Sequence, residues 1–294
     1  MEIYNRREAQ QRMNELAKAN KPFVFVISYG QQQAYIEEVE RIDTSEMLYA
    51  FPTINNIPTG EAASNTPVEW QFDAPDRSEY QRSIEHVKTN QRNGNSYLAN
   101  LTCKVPIHTN LTMREIFLRS TAKYRCWLKN NFVCFSPEIF VRIEGQTIRS
   151  FPMKGTIVAD TPNAAETLMN NTKEAAEHAT IVDLIRNDLS IVANQVSVEK
   201  YRYIDKLTTN KGQILQTSSE IVGQILPHYR TNVGDLLFSL LPAGSITGAP
   251  KPITTRIIAE AGKVQRGIQE HRPVPRRQDE PVAVYPLGIF RIMP

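Results

Sequence analysis

The sequence predicts an α+β fold with antiparallel sheets. Short strand patterns follow one another between residues 96 and 151, whereas helical patterns dominate residues 162–192. Strand runs and helical runs are thus separated along the chain, and no strand–helix–strand alternation indicates a parallel sheet. A chain of 294 residues with 41% hydrophobic content is also long enough to bury a sizeable core.

The first part of the chain predicts a helix that leads into a buried strand. Residues 5–20 are polar with apolar residues at helical spacing, and residues 23–28 form an apolar strand pattern. Residues 52–76 are rich in Pro, Asn, Thr and Ser, which indicates a long surface connection. Residues 77–93 predict an amphipathic helix that ends at Gly94.

The remaining elements follow from the same patterns. Strands are predicted at residues 97–105, 124–128, 132–135, 139–144, 147–151, 195–203 and 213–226. Helices are predicted within residues 162–192 and at residues 232–240 and 250–261. We expect residues 1–261 to form one catalytic domain, and a separate domain of residues 1–76 is the alternative. Residues 262–294 form an atypical tail that we expect to be poorly ordered, because the prolines of residues 272–281 exclude a regular helix or central strand.

Charge and composition exclude several classes of protein. The net charge is +3, but the tail carries six basic and three acidic residues, which leaves 28 of each in residues 1–261. A neutral body gives no electrostatic basis for nucleic-acid binding. The longest apolar run, residues 22–27, is too short to span a membrane, so we expect a cytoplasmic protein without a membrane partner. The three cysteines lack zinc-site spacing and are interpreted as reduced structural thiols.

The segment of residues 173–189 concentrates charged and amide groups in one helical pattern. Glu174 and Glu177 are three residues apart, so both carboxylates lie on one face of the helix. Mg²⁺ prefers oxygen ligands and takes one or two carboxylates from a protein, with water and substrate supplying the rest. The pair therefore indicates half of a Mg²⁺ site. The alternative is a solvated helix with an ordinary pair of surface glutamates.

Four motifs in order resemble one enzyme family. They are residues 136–138 (Ser-Pro-Glu), 152–156 (Pro-Met-Lys-Gly-Thr, which we interpret as a turn), 173–189 and 242–251 (Pro-Ala-Gly-Ser-Ile-Thr-Gly-Ala-Pro-Lys). Together they resemble the chorismate-utilising enzymes, and among these component I of aminodeoxychorismate synthase, from about Tyr80 to Glu260. The resemblance implies two packed, mainly antiparallel sheets flanked by helices, with chorismate bound in a cleft between them.

The resemblance also implies a covalent mechanism. Lys154 matches a lysine thought to add to ring carbon 2 of chorismate, and Glu138 matches the acid that protonates the departing hydroxyl at carbon 4. A nucleophilic lysine must first lose its proton, and a general acid must keep its proton near neutral pH. Ammonia then attacks carbon 4, and release of the lysine gives 4-amino-4-deoxychorismate. From the residues alone, the alternative for Lys154 is a surface lysine, and the alternative for Glu138 is a residue in the turn at the end of a strand.

The glycine-rich motif indicates an anion site. Its backbone N–H groups precede a helix that starts at Pro250, and such a helix start suits a carboxylate of chorismate. We assign substrate binding to four of its residues, Gly244, Ser245, Thr247 and Gly248. An ordinary helix start is the alternative. Gln216 is added to the predicted substrate contacts, because it stands where the family often has a histidine, and an amide can donate a hydrogen bond.

Two further features limit the reaction and the partner. Leu98 stands where the water-adding members of the family use a lysine base, which disfavours hydration. No cysteine lies in a motif for glutamine hydrolysis, so ammonia is expected from a separate glutamine amidotransferase subunit.

The resemblance ends after about Ala261, where family members continue with an arginine, a glycine-rich turn and a second pair of glutamates. An inactive member that at most binds the glutaminase is therefore one alternative. Anthranilate synthase component I is the other, and Lys154 argues against it because those enzymes typically carry alanine there.

Overall fold

The structure, a computed structural model, describes residues 2–61, 63–103, 105–136, 139–209, 212–265 and 284–290. In chain order the strands are β1 (Ile3–Tyr4), β2 (Phe23–Ser28), β3 (Ala34–Glu38), β4 (Met47–Phe51), β5 (Ile54–Asn55), β6 (Trp70–Phe72), β7 (Leu98–Ala99), β8 (Ile107–Thr109), β9 (Tyr124–Leu128), β10 (Phe132–Ser136), β11 (Arg142–Glu144), β12 (Thr147–Ser150), β13 (Met153–Val158), β14 (Ala193–Thr209), β15 (Gly212–Ile225), β16 (Gly248–Ala249) and β17 (Val284–Phe290). The α-helices are α1 (Arg6–Lys18), α2 (Arg77–Arg92), α3 (Met113–Arg119), α4 (Ala164–Asn170), α5 (Thr172–Leu189), α6 (Val233–Leu240), α7 (Gly244–Thr247) and α8 (Lys251–Gln265).

The strands form three larger antiparallel sheets in the part of the chain that is described. The first has the order β1-β3-β2-β17, and the second has the order β10-β9-β4-β5. The third has the order β11-β12-β15-β13, with β14 paired along the other edge of β15. Two short ribbons, β16-β7 and β6-β8, complete the pairing. The α+β class and the antiparallel sheets were predicted correctly.

Strand β2 lies at the centre of the packing because both of its faces are buried. Successive side chains of a strand point to opposite faces. Phe23, Phe25 and Ile27 pack into the main core with α1, α5, α6 and the third sheet. Val24 and Val26 point the other way and pack against β4 and β9 of the second sheet. The uninterrupted apolar pattern of residues 23–28 therefore reflects a strand covered on both sides.

The predicted helices have local reasons to start where they do. Asn5 and Glu8 form a reciprocal capping box at the start of α1. The side chain of Asn171 accepts a hydrogen bond from the Glu174 amide at the start of α5, a preferred N-cap arrangement. Helix α5 then buries one face against the third sheet. No helix within the described ranges has both the length and the apolar character needed to cross a bilayer.

Several predicted elements need correction. Of the described residues in the strand expected at residues 97–105, only Leu98 and Ala99 pair with another strand, and they form β7. The strand expected at residues 139–144 begins at Arg142. Strands β3 and β4 and helix α3 were not predicted, and residues 284–290 of the tail pair with β2. The proline-rich residues 272–281 lie outside the described residues.

Candidate active site

A cleft of about 340 Å³ opens between the second and third sheets. Its walls come from β10, from the segment that joins β12 to β13, from α5 and from the turn before α7. The lining residues are Tyr124, Cys134, Phe135, Ser136, Ile139, Phe140, Ser150, Phe151, Pro152, Met153, Lys154, Ile181, Ile185, Ala243, Ser245 and Ile246. Mostly apolar and aromatic walls with a few polar groups are typical of small-molecule sites. Lys154 and Ser245, predicted from separate motifs, both line this cleft.

Lys154 lies on strand β13, and not in the turn that its Pro-Met-Lys-Gly-Thr motif suggested. It pairs with Thr217 of β15, and the Thr217 hydroxyl donates a hydrogen bond to the Lys154 carbonyl oxygen. The register shifts between Lys154 and Thr156, so Gly155 forms a bulge with a φ of +82°. The motif resembled a turn because the bulge requires a glycine. Bulges often redirect a side chain next to an active site.

The ammonium group of Lys154 contacts the first turns of α5. Its Nζ lies 3.1 Å from Oε2 of Glu177, and the Nζ of Lys173 lies 3.8 Å from Oε1 of the same carboxylate. The hydrogen bond from Lys154 holds the pKa of Glu177 below its usual value, and the charge of Lys173 contributes to the same effect. Glu177 therefore faces the candidate nucleophile as an ionised carboxylate.

The two predicted magnesium ligands lie on the side of α5 that faces β13. A β-carbon placed on Gly155 would lie 3.1 Å from Oε2 of Glu174, so this carboxylate closely approaches the bulge. Both glutamates are partly accessible to solvent. The described residues contain no group of three or more His, Cys, Asp or Glu side chains that could hold a metal. The pair fits Mg²⁺ as one or two oxygen ligands, with water and substrate completing the shell.

His178 lies beneath the lysine and is completely buried. Its Nε2 is 2.6 Å from the Ser219 hydroxyl oxygen, and that oxygen also accepts a hydrogen bond from the Arg202 amide at 3.0 Å. Burial, and next the charge of Arg202, lower the pKa of His178. A neutral imidazole therefore joins α5 to β15 next to the Lys154–Glu177 pair.

The glycine-rich loop, residues 243–248, uses most of its own N–H groups. The Gly244 amide donates to Asp188, the Ile246 and Thr247 amides donate to the Ala243 carbonyl, and the Gly248 amide donates to the Gly244 carbonyl. These four amides are not free for an anion, in contrast to the prediction, because Asp188 accepts from Gly244 and the turn of the short helix α7 uses the other three. The Thr247 side chain remains available: it is fully buried, and its hydroxyl has no hydrogen-bond partner in the described part of the chain.

The other predicted residues lie at varying distances from the cleft. Gly248 pairs with Ala99, and a β-carbon on it would collide with the Leu98 carbonyl. Gln216 lies on β15 opposite Thr156 and is not among the described residues that line the cleft. Glu138 lies outside the described residues, but Ser136 and Ile139 on either side of it line the cleft. The structure thus groups Lys154, Ser245, Glu174 and Glu177 around one region.

Two groups of residues at the site were not predicted. The aromatic residues Tyr124, Phe135 and Phe151 come from predicted strands, but no sequence signal marked them as cleft walls. Asp188 and Lys251 form an ion pair of 2.8 Å next to the loop, with side chains only 11% and 17% exposed. Asp188 and Lys251 both belong to motifs identified from the sequence. The signal that could have predicted their contact is that Asp188 places a charge on the apolar, buried face of α5.

The chain matches known proteins along most of its length. A profile of the chorismate binding enzymes matches residues 4–268, so the similarity begins well before Tyr80. An uncharacterized PabA-like protein of Haemophilus influenzae is 43% identical over 254 residues, covering 86% of this chain and 77% of that protein. Aminodeoxychorismate synthase component 1 of Bacillus subtilis is 29% identical over 206 residues, 64% of this chain and 42% of that protein. An anthranilate synthase component 1 of Haloarcula marismortui is 30% identical over 255 residues, 78% of this chain and 51% of that protein.

Solved structures share the fold. A putative 2,3-dihydroxybenzoate-specific isochorismate synthase from Bacillus anthracis aligns with a TM-score of 0.57 at 14% identity, over 89% of this chain and 73% of that one. Anthranilate synthase component I from Streptococcus pneumoniae aligns with a TM-score of 0.52 at 23% identity, over 70% of this chain and 47% of that one. With the profile match over residues 4–268, the chain belongs to the family of chorismate binding enzymes.

Proposed function

We propose that this protein is component I of an aminodeoxychorismate synthase, which converts chorismate and ammonia to 4-amino-4-deoxychorismate for the synthesis of p-aminobenzoate and folate. The observation that carries the proposal is the position of Lys154. It lines a cleft within a chorismate-binding fold and contacts Glu177, and Ser245 lines the same cleft. A lysine at this point has the reach and the chemistry for nucleophilic attack on a bound ring.

The roles of the residues follow from that position. Lys154 bonds to ring carbon 2, both double bonds of the ring diene shift by one position, and the hydroxyl at carbon 4 leaves as water after Glu138 protonates it. Ammonia from a glutamine amidotransferase partner then attacks carbon 4 and the lysine departs. Covalent catalysis of this kind replaces one difficult substitution by two easier ones. We expect the reaction to take place in the cytoplasm.

Glu174 and Glu177 are the residues that would hold Mg²⁺. When bound, the ion would neutralise a carboxylate of chorismate, a role that suits a metal held by one or two protein carboxylates. Glu177 also contacts the Lys154 ammonium group, so the same carboxylate would orient the lysine and supply an oxygen ligand for the ion. Ser245 would contact the substrate from the opposite wall. The buried Thr247 hydroxyl, two residues further along the loop and without a partner among the described residues, is a second candidate contact.

Anthranilate synthesis is the second candidate, because an anthranilate synthase component 1 is also 30% identical to this chain. The two reactions differ in their products. Aminodeoxychorismate keeps the enolpyruvyl side chain of chorismate, whereas formation of anthranilate releases pyruvate. Lys154 favours the first reaction, since the second needs no covalent bond between the enzyme and the substrate.

The test is an incubation of the purified chain with chorismate, Mg²⁺ and excess ammonium, with products identified by chromatography and mass spectrometry. Lys154→Ala is compared with Lys173→Ala, which removes the other lysine near Glu177. We expect aminodeoxychorismate from the wild type and from Lys173→Ala, and none from Lys154→Ala. Anthranilate with pyruvate would assign the second activity. No turnover by the folded wild type would leave an inactive member of the family.

A further inference from the structure

Helix α5 carries an acidic residue at each end of one stripe that faces the cleft. Glu177, Ile181, Ile185 and Asp188 follow one another at spacings of three or four residues, which places them on the same side of the helix. Ile181 and Ile185 line the cleft between the two acids. Glu177 and Asp188 are separated along the axis by about 16 Å at the usual rise of an α-helix. One rigid element therefore contacts both walls of the cleft.

At the first end of the stripe Glu177 contacts Lys154, and at the second end Asp188 holds the glycine-rich loop. Oδ2 of Asp188 accepts the Gly244 amide at 2.9 Å, and its Oδ1 lies 2.8 Å from the Nζ of Lys251. Lys251 also donates to the Leu240 carbonyl oxygen at 2.9 Å, before the loop begins. The carboxylate thus joins the start of the loop to the start of α8.

The contact between Asp188 and the loop leaves no spare room. A β-carbon on Gly244 would lie 2.8 Å from Oδ2 of Asp188 and 3.0 Å from Cγ of Leu184, both on α5. The far end of the loop is held as well, because the Asn100 amide donates to the Thr247 carbonyl and Gly248 pairs with Ala99. Among the residues of the loop, Ala243, Ser245 and Ile246 line the cleft.

Burial makes this ion pair costly to disturb. Burial raises the pKa of Asp188, while Lys251 and the Gly244 amide oppose that effect. Removal of one partner of a buried pair leaves an uncompensated charge, whereas replacement of both partners by neutral groups is often well tolerated. A pair that served only stability could therefore be replaced as a unit without functional cost.

We propose that Asp188 and Lys251 are positioning residues for substrate binding: their ion pair fixes loop 243–248 on α5, and so sets Ser245 and Ile246 at a defined distance from Lys154 across the cleft. Neither residue touches the reacting atoms. The proposal rests on the proposed function only in taking chorismate as the ligand. The ion pair itself can be tested without turnover.

The experiment compares Asp188→Asn, Lys251→Met and the double variant Asp188→Asn/Lys251→Met. Asp183→Asn is the matched control, because Asp183 lies on the same helix in an exposed pair with Arg186 at 3.2 Å. Hydrogen exchange of the Gly244–Gly248 amides is measured on each protein without ligand. The dissociation constant for chorismate is measured by calorimetry with Mg²⁺ and no ammonia on the same variants made in a Lys154→Ala background, where no covalent adduct forms. KM and kcat are measured with ammonium on the variants that keep Lys154.

For both single variants we expect faster hydrogen exchange in the loop and unchanged protection of the β15 amides. We also expect the dissociation constant and KM for chorismate to rise by about tenfold or more, with a smaller change in kcat. The double variant should regain stability but not affinity, and it keeps the test valid if a single variant folds poorly. Wild-type affinity and loop exchange in folded Asp188→Asn, or restored affinity in the double variant, would overturn the proposal. If the wild type does not bind chorismate, the proposed function fails, and the exchange data alone decide whether the pair fixes the loop.

Discussion

The Nζ of Lys154 lies 3.1 Å from Oε2 of Glu177, which joins the candidate nucleophile on β13 to a candidate metal ligand on α5. Both side chains are roughly two-fifths exposed, at 44% and 40%. A pair so open to solvent contributes little to stability. Its position fits the proposed function, in which the carboxylate would orient the lysine and would be one ligand of a cation at the same face of α5.

Replacement of Glu177 by glutamine tests this double role. The amide keeps the shape of the side chain but loses the charge that binds Mg²⁺ and Lys154. We expect the Mg²⁺ concentration for half-maximal activity to rise by about tenfold or more, with little change in thermal unfolding. Mg²⁺ titrations of activity, together with calorimetry of Mg²⁺ in the presence of chorismate, measure the effect. Glu166→Gln, at an exposed position on α4, is the control. An unchanged Mg²⁺ requirement in Glu177→Gln would exclude Glu177 as a ligand.

Gly155 provides a steric test of the same region. In Gly155→Ala the alanine must adopt a φ of +82°, which is unfavourable for a residue with a β-carbon. The new β-carbon also lies 3.1 Å from Oε2 of Glu174. Gly60→Ala is a close match, because Gly60 has a φ of +85° and no atom within 4 Å of the added carbon. Both variants should lose about 1–2 kcal/mol of unfolding free energy to the backbone strain. Only Gly155→Ala should also lose activity, and equal activity in the two folded variants would show that the position of Glu174 is unimportant.

Substitution of Thr247 is expected to change the KM for chorismate without lowering the free energy of unfolding. Its hydroxyl is fully buried and has no partner within the described residues, which is unfavourable for the free protein. Thr247→Val should therefore leave the free energy of unfolding unchanged or raise it. If the hydroxyl binds a carboxylate of chorismate, the KM should rise about tenfold, since hydrogen bonds to charged groups contribute about 1.5–3 kcal/mol. Thr247→Ser keeps the hydroxyl and should keep most of the affinity. A normal KM in Thr247→Val would remove Thr247 from the binding site.

His178 predicts a pH dependence of stability. Its pKa in the folded state lies below the reference value of 6.5, mainly because of burial. The unfolded state therefore binds a proton more readily, and the free energy of unfolding should fall as pH decreases through about 6.5 toward the lower pKa of the folded state. Urea denaturation between about pH 7.5 and pH 5 measures this fall. His178→Gln can still bond to Ser219 and should lack the fall in that window. The same slope in both proteins would assign it to other groups.

The sequence predicted the main helices and the long strands because their patterns are local. The apolar face of α5 and the short apolar runs of β15 appear within single segments of the chain. Strand β13 was missed because its bulge at Gly155 resembles a turn, and only the pairing with β15 makes it a strand. Strands β3 and β4 were not predicted because each is short. Their side chains are buried by contacts with residues from other sheets, and such contacts leave no local pattern in the sequence.

The sequence predicted several residues of the candidate site but not the contacts between them. Lys154 and Glu177 came from two motifs, and their contact depends on how α5 packs on the third sheet. For loop 243–248, the prediction about the backbone amides was wrong. Its glycines suggested free amides, but helix α7 and Asp188 use them, because a buried amide must find a partner. Spacing along the sequence could not show which partner would be nearest.

The most direct test of the account is the intact mass of the protein after incubation with chorismate and Mg²⁺ in the absence of ammonia. Attack by Lys154 at ring carbon 2 with loss of the hydroxyl at carbon 4 predicts an adduct with the mass of chorismate minus one water. Proteolysis should locate it on the peptide that contains Lys154, and Lys154→Ala should show none. Formation of aminodeoxychorismate on addition of ammonium without any such adduct, or an adduct on a different lysine, would contradict the assignment of Lys154 as the nucleophile.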